Sequence, residues 1–467
     1  MMKMKRLHFF LLLAGILLTA CGGDDDVTSG GDTPKPVTPS TPTSWSLEIT
    51  SPVTRGLSGD ASGITPTWST SDKIYVYYEN QRVGVLHPKE DKSNAKDYVQ
   101  LEGNLDTPVS GAYSTDGTLS FYYQCDKGFS NYTGQDGTLA TIASSFDYHV
   151  AENVAITAVD AVNRKVTVGQ FNLKPQQAIA RFSFTRPLAA GDVITITGAQ
   201  YSVSATLKAD VAENTGYVDV ALPLTATAAS PTLTFDIKRG DDANFYKTIM
   251  VDKSMQNGKT YSAHLLLAVE LNGVWWATRN LADPQWNNGK KIPDNEYVGG
   301  HFFQWGATHT RADQYDASHY DGPGLSVASL YPTYDAAYKI LGRAWRMPTK
   351  DEADKLANLT WNNNDTFTNR VNDKVKATWV PNGVNSGMKF SDTSNENKYI
   401  FLKAGGWYDT KINREGSSGL YLTSTRWPDD AGYCARFDFN NDNGPRAYTV
   451  ISDHVHGFSI RPVLNTQ

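Results

Sequence analysis

The stretch from Gly342 to Leu356 places two arginines, a tryptophan and three carboxylates within fifteen residues, a density of side chains that suits a binding site. The same order also suits a structural corner. Pro348 restricts the residue before it to extended backbone, and Thr349 with Glu352 matches a capping box at the start of a helix. The residue types alone leave both interpretations open.

Alternation along the strand before Pro348 predicts which side chains are buried there. Trp345 and Met347 fall on one face and Arg346 on the other, where a carboxylate can pair with it. The helix that follows is predicted to bury a stripe of three apolar residues: Ala353, Leu356 and Leu359. Every residue then has a role in folding, so we favour a strand-to-helix corner over an active site.

Cys434 is the second candidate for chemistry, because a thiolate is a strong nucleophile. It lies in a run whose alternation puts Cys434, Arg436 and Asp438 on one strand face and apolar residues on the other. The run offers no second thiol and no histidine to activate the first. We therefore predict that the protein is not an enzyme. Cys125 is far away in sequence, so we predict no disulfide framework.

Oxygen-rich segments raise the possibility of calcium, which takes about six to eight oxygen ligands. They are 362–365, 429–430 and 438–444. The last places its glycine one position late for a calcium loop, and β-like runs flank it, so a hairpin turn is the better prediction. His454 and His456 share a predicted strand face but are expected to be solvated. We predict no cofactor, with calcium as the weaker alternative.

Aromatic residues beside turns predict a ligand-binding surface near the end of the chain. Trp407, Tyr408 and Trp427 flank glycine or Pro-Asp-Asp turns, and Asp429 supplies a carboxylate there. Flat rings with polar groups at their edges suit sugars or protein loops. Tyr421 is expected to add a further aromatic ring to this surface. Two other tryptophans are predicted to be core residues: Trp305 and Trp345.

The bulk composition limits the classes of protein. The chain has 467 residues, a formal net charge of -6 and a pI near 5.9, which do not suit a nucleic-acid binder with a basic stripe. Residues 1–20 have a basic head and a short apolar run, which predicts a secretory signal. Cys21 stands at the cut point of a bacterial lipobox and is predicted to be acylated. Residues 21–44 are acidic and then Pro/Thr-rich, which predicts an extended tether.

Short alternating runs with Gly, Asn and Asp breaks continue from Trp45 to Leu267 and predict strands of the sandwich kind. The runs include Thr118–Tyr123, Ala140–Ala143, Lys165–Phe171 and Ala178–Phe184. Nine of the eleven tryptophans lie after residue 268, which predicts a domain boundary there. The predicted fold class is mainly β: β-sandwiches at 45–175 and 176–268, followed by an α+β domain at 269–467.

The region from Trp45 to Leu267 resembles the fimbrillin family, whose members build pili on Gram-negative anaerobes. The resemblance rests on Thr54-Arg55, on Thr67–Tyr77 with its Trp-Ser-Thr-Ser-Asp-Lys-Ile pattern, on Leu173–Phe184 and on Gly258–Tyr261. It implies two β-sandwich domains, export as a lipoprotein, and assembly with other fimbrial subunits by donor-strand exchange. In that assembly a protease cuts after an arginine and removes the first strand; we predict Arg55 as that position.

The last 199 residues resemble a FISUMP-type domain, related to C-type-lectin-like and formylglycine-generating-enzyme-like folds. The matching segments, in order, are Val274–Leu281, Phe303–Gly306, Trp345–Glu352, Tyr421–Arg426 and Gly457–Val463. The calcium-lectin sugar triplets Glu-Pro-Asn and Gln-Pro-Asp are missing. This resemblance implies a recognition domain for a glycan or for a host or bacterial surface protein.

Together these features predict a pilus subunit at the cell surface, held at the outer membrane by its lipid before processing. A large domain after the sandwiches would obstruct strand donation, so we predict the tip of the pilus, with an adhesive role. The alternative is a surface glycan-binding lipoprotein that never polymerises. In that case Cys21 stays attached and Arg55 stays uncut.

Overall fold

The computed structural model describes residues 44–49, 54–55, 67–93, 99–128, 131–224, 232–251, 254–310, 320, 322–323, 326–362, 366–427 and 433–466. All of them belong to one compact unit, Ser44–Gln467. The chain is mainly β, as the alternating sequence predicts. In these residues no helix is long and apolar enough to cross a membrane.

The first ten strands form one sheet. Their bounds are β1 (Trp45–Ile49), β2 (Thr54–Arg55), β3 (Ile74–Tyr78), β4 (Gln81–Pro88), β5 (Leu101–Glu102), β6 (Asn104–Leu105), β7 (Thr118–Tyr123), β8 (His149–Asp160), β9 (Lys165–Val168) and β10 (Asn172–Pro175). The pairings close into a ring in the order β8, β7, β3, β4, β6, β1, β9 and back to β8. Inward residues such as Ile74, Phe121 and Val166 fill a core of their own. Closure leaves the ring strands without an open edge.

The N-terminal strand β1 closes this ring. It pairs in parallel with β9 and antiparallel with β6. Trp45 is buried against Tyr113, whereas Leu47 and Ile49 are only half-buried and Glu48 is exposed. Parallel pairing is slightly less stable per residue than antiparallel pairing. The strand that completes the sheet is therefore one of its weakly held parts.

One predicted strand is a helix. Residues 140–143 are expected from alternation to be extended, but they lie in α1 (Leu139–Ser145). The Thr138 side chain accepts a hydrogen bond from the Thr141 backbone N–H at 3.3 Å and caps the first turn. The alternation prediction was wrong there because a short run with alanines fits either period, and the cap decides between them.

The next seven strands build a sandwich of two sheets. They are β11 (Ala178–Phe184), β12 (Val193–Thr197), β13 (Ser202–Thr206), β14 (Val218–Leu222), β15 (Leu233–Arg239), β16 (Asp242–Met250) and β17 (Thr260–Leu265). One sheet has the order β14, β11, β17, and the other contains β13, β12, β15 and β16. Phe182 and Phe235 contact each other across the interior, edge to face at 4.8 Å between ring centres.

The remaining strands are β18 (Ala268–Leu271), β19 (Val274–Ala277), β20 (Trp345–Arg346), β21 (Leu359–Trp361), β22 (Phe367–Asn369), β23 (Val375–Val380), β24 (Gly387–Asp392), β25 (Tyr399–Lys403), β26 (Trp407–Tyr408), β27 (Ile412–Asn413), β28 (Ser418–Arg426), β29 (Cys434–Asn440), β30 (Arg446–Ser452) and β31 (Val463–Leu464). Two helices accompany them: α2 (Ala336–Leu341) and α3 (Lys350–Asp354).

A single sheet crosses the position where the composition changes. Strand β16 pairs with β18 at Lys247 and Ala268, and the sheet continues through β19 and β31 to β20. The boundary predicted at 268/269 falls inside β18 and stays a prediction from composition. Arg186 and Glu296 add a contact at 2.5 Å between the two regions, and Arg279 pairs with Glu213. The C-terminal region is thus joined to the sandwich by backbone pairing and by buried charges.

The Gly342–Leu356 stretch is a structural corner. Trp345 and Met347 are buried, and Arg346 holds Glu352 through two bonds of 2.6 and 2.7 Å, as predicted. The Thr349–Glu352 capping box is also confirmed. The predicted inward stripe was wrong at one position, because Leu359 starts β21 and is half-buried.

The helix stops early because the chain bonds elsewhere. The Asn358 backbone N–H donates to the Ala447 carbonyl at 3.0 Å, and the Ala447 N–H donates to the Asn358 side chain at 2.8 Å. Because of these bonds to β30, the chain leaves the helical conformation after α3. They are long-range contacts, which local periodicity does not predict.

A buried guanidinium joins distant segments of the C-terminal region. Arg461 is 1% exposed and donates to Asn280 Oδ1 at 2.7 Å, to the Ala277 carbonyl at 2.8 Å and to the Phe401 carbonyl at 2.7 Å. Asn280 in turn donates to the Tyr421 hydroxyl at 3.0 Å. Burial lowers the pKa of Arg461 to about 10, so it remains charged at neutral pH.

We expect Arg461→Ala to lower the free energy of unfolding by about 3 kcal/mol or more, because it leaves three buried acceptors without donors. Arg370→Ala is the matched control, since the Arg370 side chain is 40% exposed and lies 3.8 Å from Asp354. Its cost should be under about 0.5 kcal/mol. Denaturant titration of both variants measures the difference; equal costs would contradict the anchoring role of Arg461.

Candidate functional site

The three-stranded sheet β28–β29–β30 has one apolar face and one polar face, and on the polar face Leu420, Leu422 and Cys434 are also buried. Phe437 and Phe439 point into the core together with Tyr421, which is 3% exposed. Arg436 and Asp438 alternate to the other face, as predicted from the sequence. The core therefore fixes the strands whose polar positions build a site.

The polar face forms the floor of a cleft of about 330 Å³. This volume lies at the lower end of the range for small-molecule pockets. The residues that line the cleft come from β26 to β30 and the segments beside them: Trp407, Arg414, Ser418, Leu420, Arg436, Asp438, Phe439, Asn440, Tyr448, Asp453, His456 and Phe458. Aromatic rings, hydroxyl and amide groups, and charges of both signs converge there.

One ion pair and one histidine–carboxylate hydrogen bond organise the charges of the cleft. Arg436 binds Asp438 through two bonds of 2.6 and 2.8 Å and donates to Ser452 Oγ at 2.8 Å. His456 Nδ1 lies 2.9 Å from an Asp453 oxygen, and this hydrogen bond raises the pKa of His456. Side chains held in this way are pre-organised for a ligand, because little freedom remains to be lost on binding.

The predicted aromatic surface divides into separate places. Trp407 lines the cleft, half-buried against the core cluster that contains Leu420. Tyr408 follows it in β26, forms paired backbone bonds of 2.9 Å with Gly457, and lies 5.9 Å from the Phe302 ring. Of these two residues, only Trp407 is among the cleft-lining side chains.

Trp427 lies at a different place. Its ring meets Trp361 edge to face at 5.7 Å, and Lys350 Nζ lies 5.4 Å from its centre. None of these three residues lines the cleft. Asp429 lies outside the described residues. Tyr421 was expected to add a ring to this surface, but it is buried. Its hydroxyl donates to the Lys403 carbonyl at 2.9 Å.

The sequence does not predict two cleft residues, Arg414 and Tyr448. Arg414 follows the short β26–β27 hairpin, and Tyr448 stands opposite Asp438 in β30. The alternation of β29 was a usable signal for Tyr448, because the facing strand must expose residues on the same side. Arg414 comes from a turn and has no comparable signal.

Cys434 is buried at the start of β29. Its thiol donates to the Ser452 and Asp453 carbonyls at 3.4 Å each. Burial raises the pKa of Cys434 to about 12, so the reactive thiolate is strongly disfavoured. Cys125 is a buried free thiol as well, and burial raises its pKa to about 12. Neither environment activates a nucleophile.

The candidate metal ligands lie in a hairpin and a bend. Segment 438–444 belongs to the β29–β30 hairpin, in which Asn443 and Gly444 adopt positive φ, as predicted. His454 and His456 lie in a bend after β30, so the prediction that they share a strand face was wrong. Residues 363–365 and 429–430 lie outside the described residues. Within the described residues, no group of three or more His, Cys, Asp or Glu could hold a metal ion.

The two predicted processing positions lie at the other end of the chain. Arg55 is in β2, whose backbone pairs with Leu173 of β10 at the end of the strand order. Cys21 lies outside the described residues. Among the described residues, no contact joins Arg55 to the residues that line the cleft.

We expect a Cys21→Ser variant to show no thiol that reacts with an aromatic disulfide reagent while folded. Unfolding should expose both Cys125 and Cys434, because their burial is what keeps the thiols protonated. Counting the released thiolate spectroscopically before and after denaturation measures this. Rapid reaction of a thiol in the folded chain that persists when Cys125→Ser is added would contradict the assignment of Cys434 as a core residue.

Comparison with known proteins finds likeness to solved structures only. No protein-family model and no curated protein matches the chain. The chain is similar to a candidate cell adhesion protein from Bacteroides ovatus ATCC 8483. The two share 13% identity over 48% of this chain and 94% of the other, with a TM-score of 0.26. A candidate cell adhesion protein from Bacteroides fragilis NCTC 9343 shares 13% identity over 50% and 96% of the two chains, with a TM-score of 0.25. A candidate adhesin from Bacteroides ovatus ATCC 8483 shares 8% identity over 50% and 94%, with a TM-score of 0.24. All three TM-scores lie below 0.5, so the fold described above stands on its own strand pairings.

Proposed function

We propose that the protein is an exported adhesion protein of the cell surface, anchored by lipid at Cys21 before processing, that recognises a glycan through the cleft on β28–β30. The observation that carries this proposal is the cleft itself, where one partly exposed tryptophan faces polar and charged side chains held by ion pairs. In this proposal the remaining strands form a scaffold that presents the cleft.

The chemistry of the lining favours a sugar over an apolar ligand. A sugar ring has an apolar face that packs on Trp407 and hydroxyl groups at its rim that require hydrogen-bond partners. Asn440 and Ser418 supply such partners beside the ring. Burial raises the pKa of Tyr448 to about 12, so its phenol stays protonated as a donor. An apolar ligand would leave these polar groups without partners.

We further propose that the protein joins a pilus by strand exchange at β1. Removal of β1 would leave the edges of β6 and β9 open, with Leu105 and Val166 lining an apolar slot. Such an edge is a template for a strand of another subunit. A cut after Arg55 would free β1 together with β2, which within the described residues pairs with β10 at two positions.

We propose a position at the pilus tip, and the place of β31 supports this proposal. This strand lies between β19 and β20, and Val463 and Leu464 are buried. A buried internal strand cannot be donated to a neighbour without unfolding the sheet around it. The proposed subunit therefore accepts a strand and presents the cleft at the end of the fibre.

Fibre-associated protein should begin at Gly56, because a cut after Arg55 releases β1. Arg55→Gln should abolish both this cut and incorporation into fibres. Arg82→Gln is the matched control, since Arg82 is 52% exposed but lies in β4, paired on both sides. N-terminal mass spectrometry of the surface protein measures the outcome. An intact acylated Cys21 in fibres would overturn strand exchange, and fibre-free protein with Cys21 would favour the non-polymerising lipoprotein.

Trp407→Ala should weaken glycan binding by about tenfold or more, because it removes the ring on which the sugar packs. Trp427→Ala is the matched control, since Trp427 is a half-buried tryptophan whose partners lie outside the cleft. Glycan-array screening of the wild-type protein identifies ligands, and calorimetry with a ligand so found compares the variants. Equal losses in both variants would overturn the assignment of the cleft.

A further inference from the structure

The cleft contains one cation, Arg414, that forms no ion pair with the carboxylates lining the cleft. Asp438 is engaged by Arg436, and Asp453 is engaged by His456. Arg414 is exposed at the edge of the same cleft, and it forms no ion pair with any carboxylate in the described parts of the chain. The lining thus carries an unmatched guanidinium beside an aromatic wall.

The backbone that carries Arg414 is fixed. Its carbonyl accepts hydrogen bonds from the Ser417 and Ser418 N–H groups at 3.1 Å each and from Ser417 Oγ at 3.0 Å. The residue adopts a left-handed conformation with φ of 57°, which ends the β26–β27 hairpin. Tyr448 is close enough for the charge of Arg414 to act on its phenol. The guanidinium therefore leaves a rigid turn at the mouth of the cleft.

We infer that the cleft selects a saccharide that bears a carboxylate, with Arg414 binding the carboxylate and Trp407 packing on the sugar ring. This inference rests on the proposed glycan-binding function and names its ligand class. A guanidinium matches a carboxylate through two parallel hydrogen bonds, which gives geometry as well as charge. A neutral sugar would leave this cation without a partner when the cleft is filled.

His456 adds a dependence on pH. The charged groups facing it are Asp453 from its own segment, Asp409 from the β26–β27 hairpin and Arg436 from β29. The Asp453 hydrogen bond raises the pKa of His456, so protonation begins above the usual range for histidine. The added positive charge is present below that pKa and is lost as pH rises through it. Affinity for a carboxylated sugar should therefore increase as pH falls from about 7.5 to about 5.5.

The test uses the full exported chain with Cys21→Ser and two probes in calorimetry. One is a tetrasaccharide of alternating glucuronate and N-acetylglucosamine; the other is its carboxyl-reduced, uncharged counterpart. We expect the acidic probe to bind about tenfold more tightly or better. Arg414→Gln should lower affinity for the acidic probe by about tenfold more than affinity for the neutral probe, and so remove this preference. Lys411→Gln, which removes an exposed cation of the same hairpin outside the cleft, should keep the preference. His456→Gln should abolish the increase at low pH.

The outcomes separate the inference from the function on which it rests. If both probes bind equally, or if Arg414→Gln weakens both equally, selection for a carboxylate is wrong. A loss with Trp407→Ala in that case would still support the glycan site. If neither probe binds the wild-type protein, the carboxylate inference falls. If, in addition, no glycan of the array binds, the proposed function falls with it.

Discussion

The C-terminal region depends on a charge placed where water cannot reach it. The Arg461 guanidinium donates to groups on β19, on the segment after it and on β25, and through Asn280 it reaches Tyr421 of β28. Burial of a charge is costly unless every donor finds an acceptor. The carbonyls of Ala277 and Phe401 are therefore held at fixed places around it. Because Tyr421 belongs to the same strand as the cleft residue Leu420, this internal network also fixes the floor of the cleft.

A second constraint joins the cleft to the rest of the protein. The sheet that contains β16 continues into β18 and β19, and Arg186 meets Glu296 and Tyr399 beside that junction. Paired strands and buried ion pairs resist sliding, because a shift of one register would break the backbone bonds and separate the charges together. Force applied at a ligand in the cleft would pass into the sandwich through this sheet and not through a flexible linker. Such continuity suits a protein whose proposed role is attachment.

The sequence predicted those features that depend on short periods and caps. The strand faces of β29, the burial of Trp345 and Met347 and the Thr349–Glu352 capping box follow from alternation and residue type. It misassigned residues 140–143 and Leu359, where a cap and a distant backbone partner decided the outcome. The role of Arg461 had no local signal, because an arginine in a strand-like run is expected to be exposed. The cleft was only half predicted, since Trp407, Arg414 and Tyr448 meet through the tertiary fold.

The alternation in β29 shows how a stable core and a polar site share one strand. Phe437 and Phe439 supply the apolar burial that holds the sheet, while Arg436 and Asp438 between them carry the charges of the cleft. Since successive side chains point to opposite faces, a change on one face leaves the other largely intact. Side chains on the polar face also hold the strand, because Arg436 is half-buried in its pair with Asp438 and donates to Ser452 Oγ. The charges of the cleft and the rings that hold the sheet in the core are thus separated by a single residue along β29.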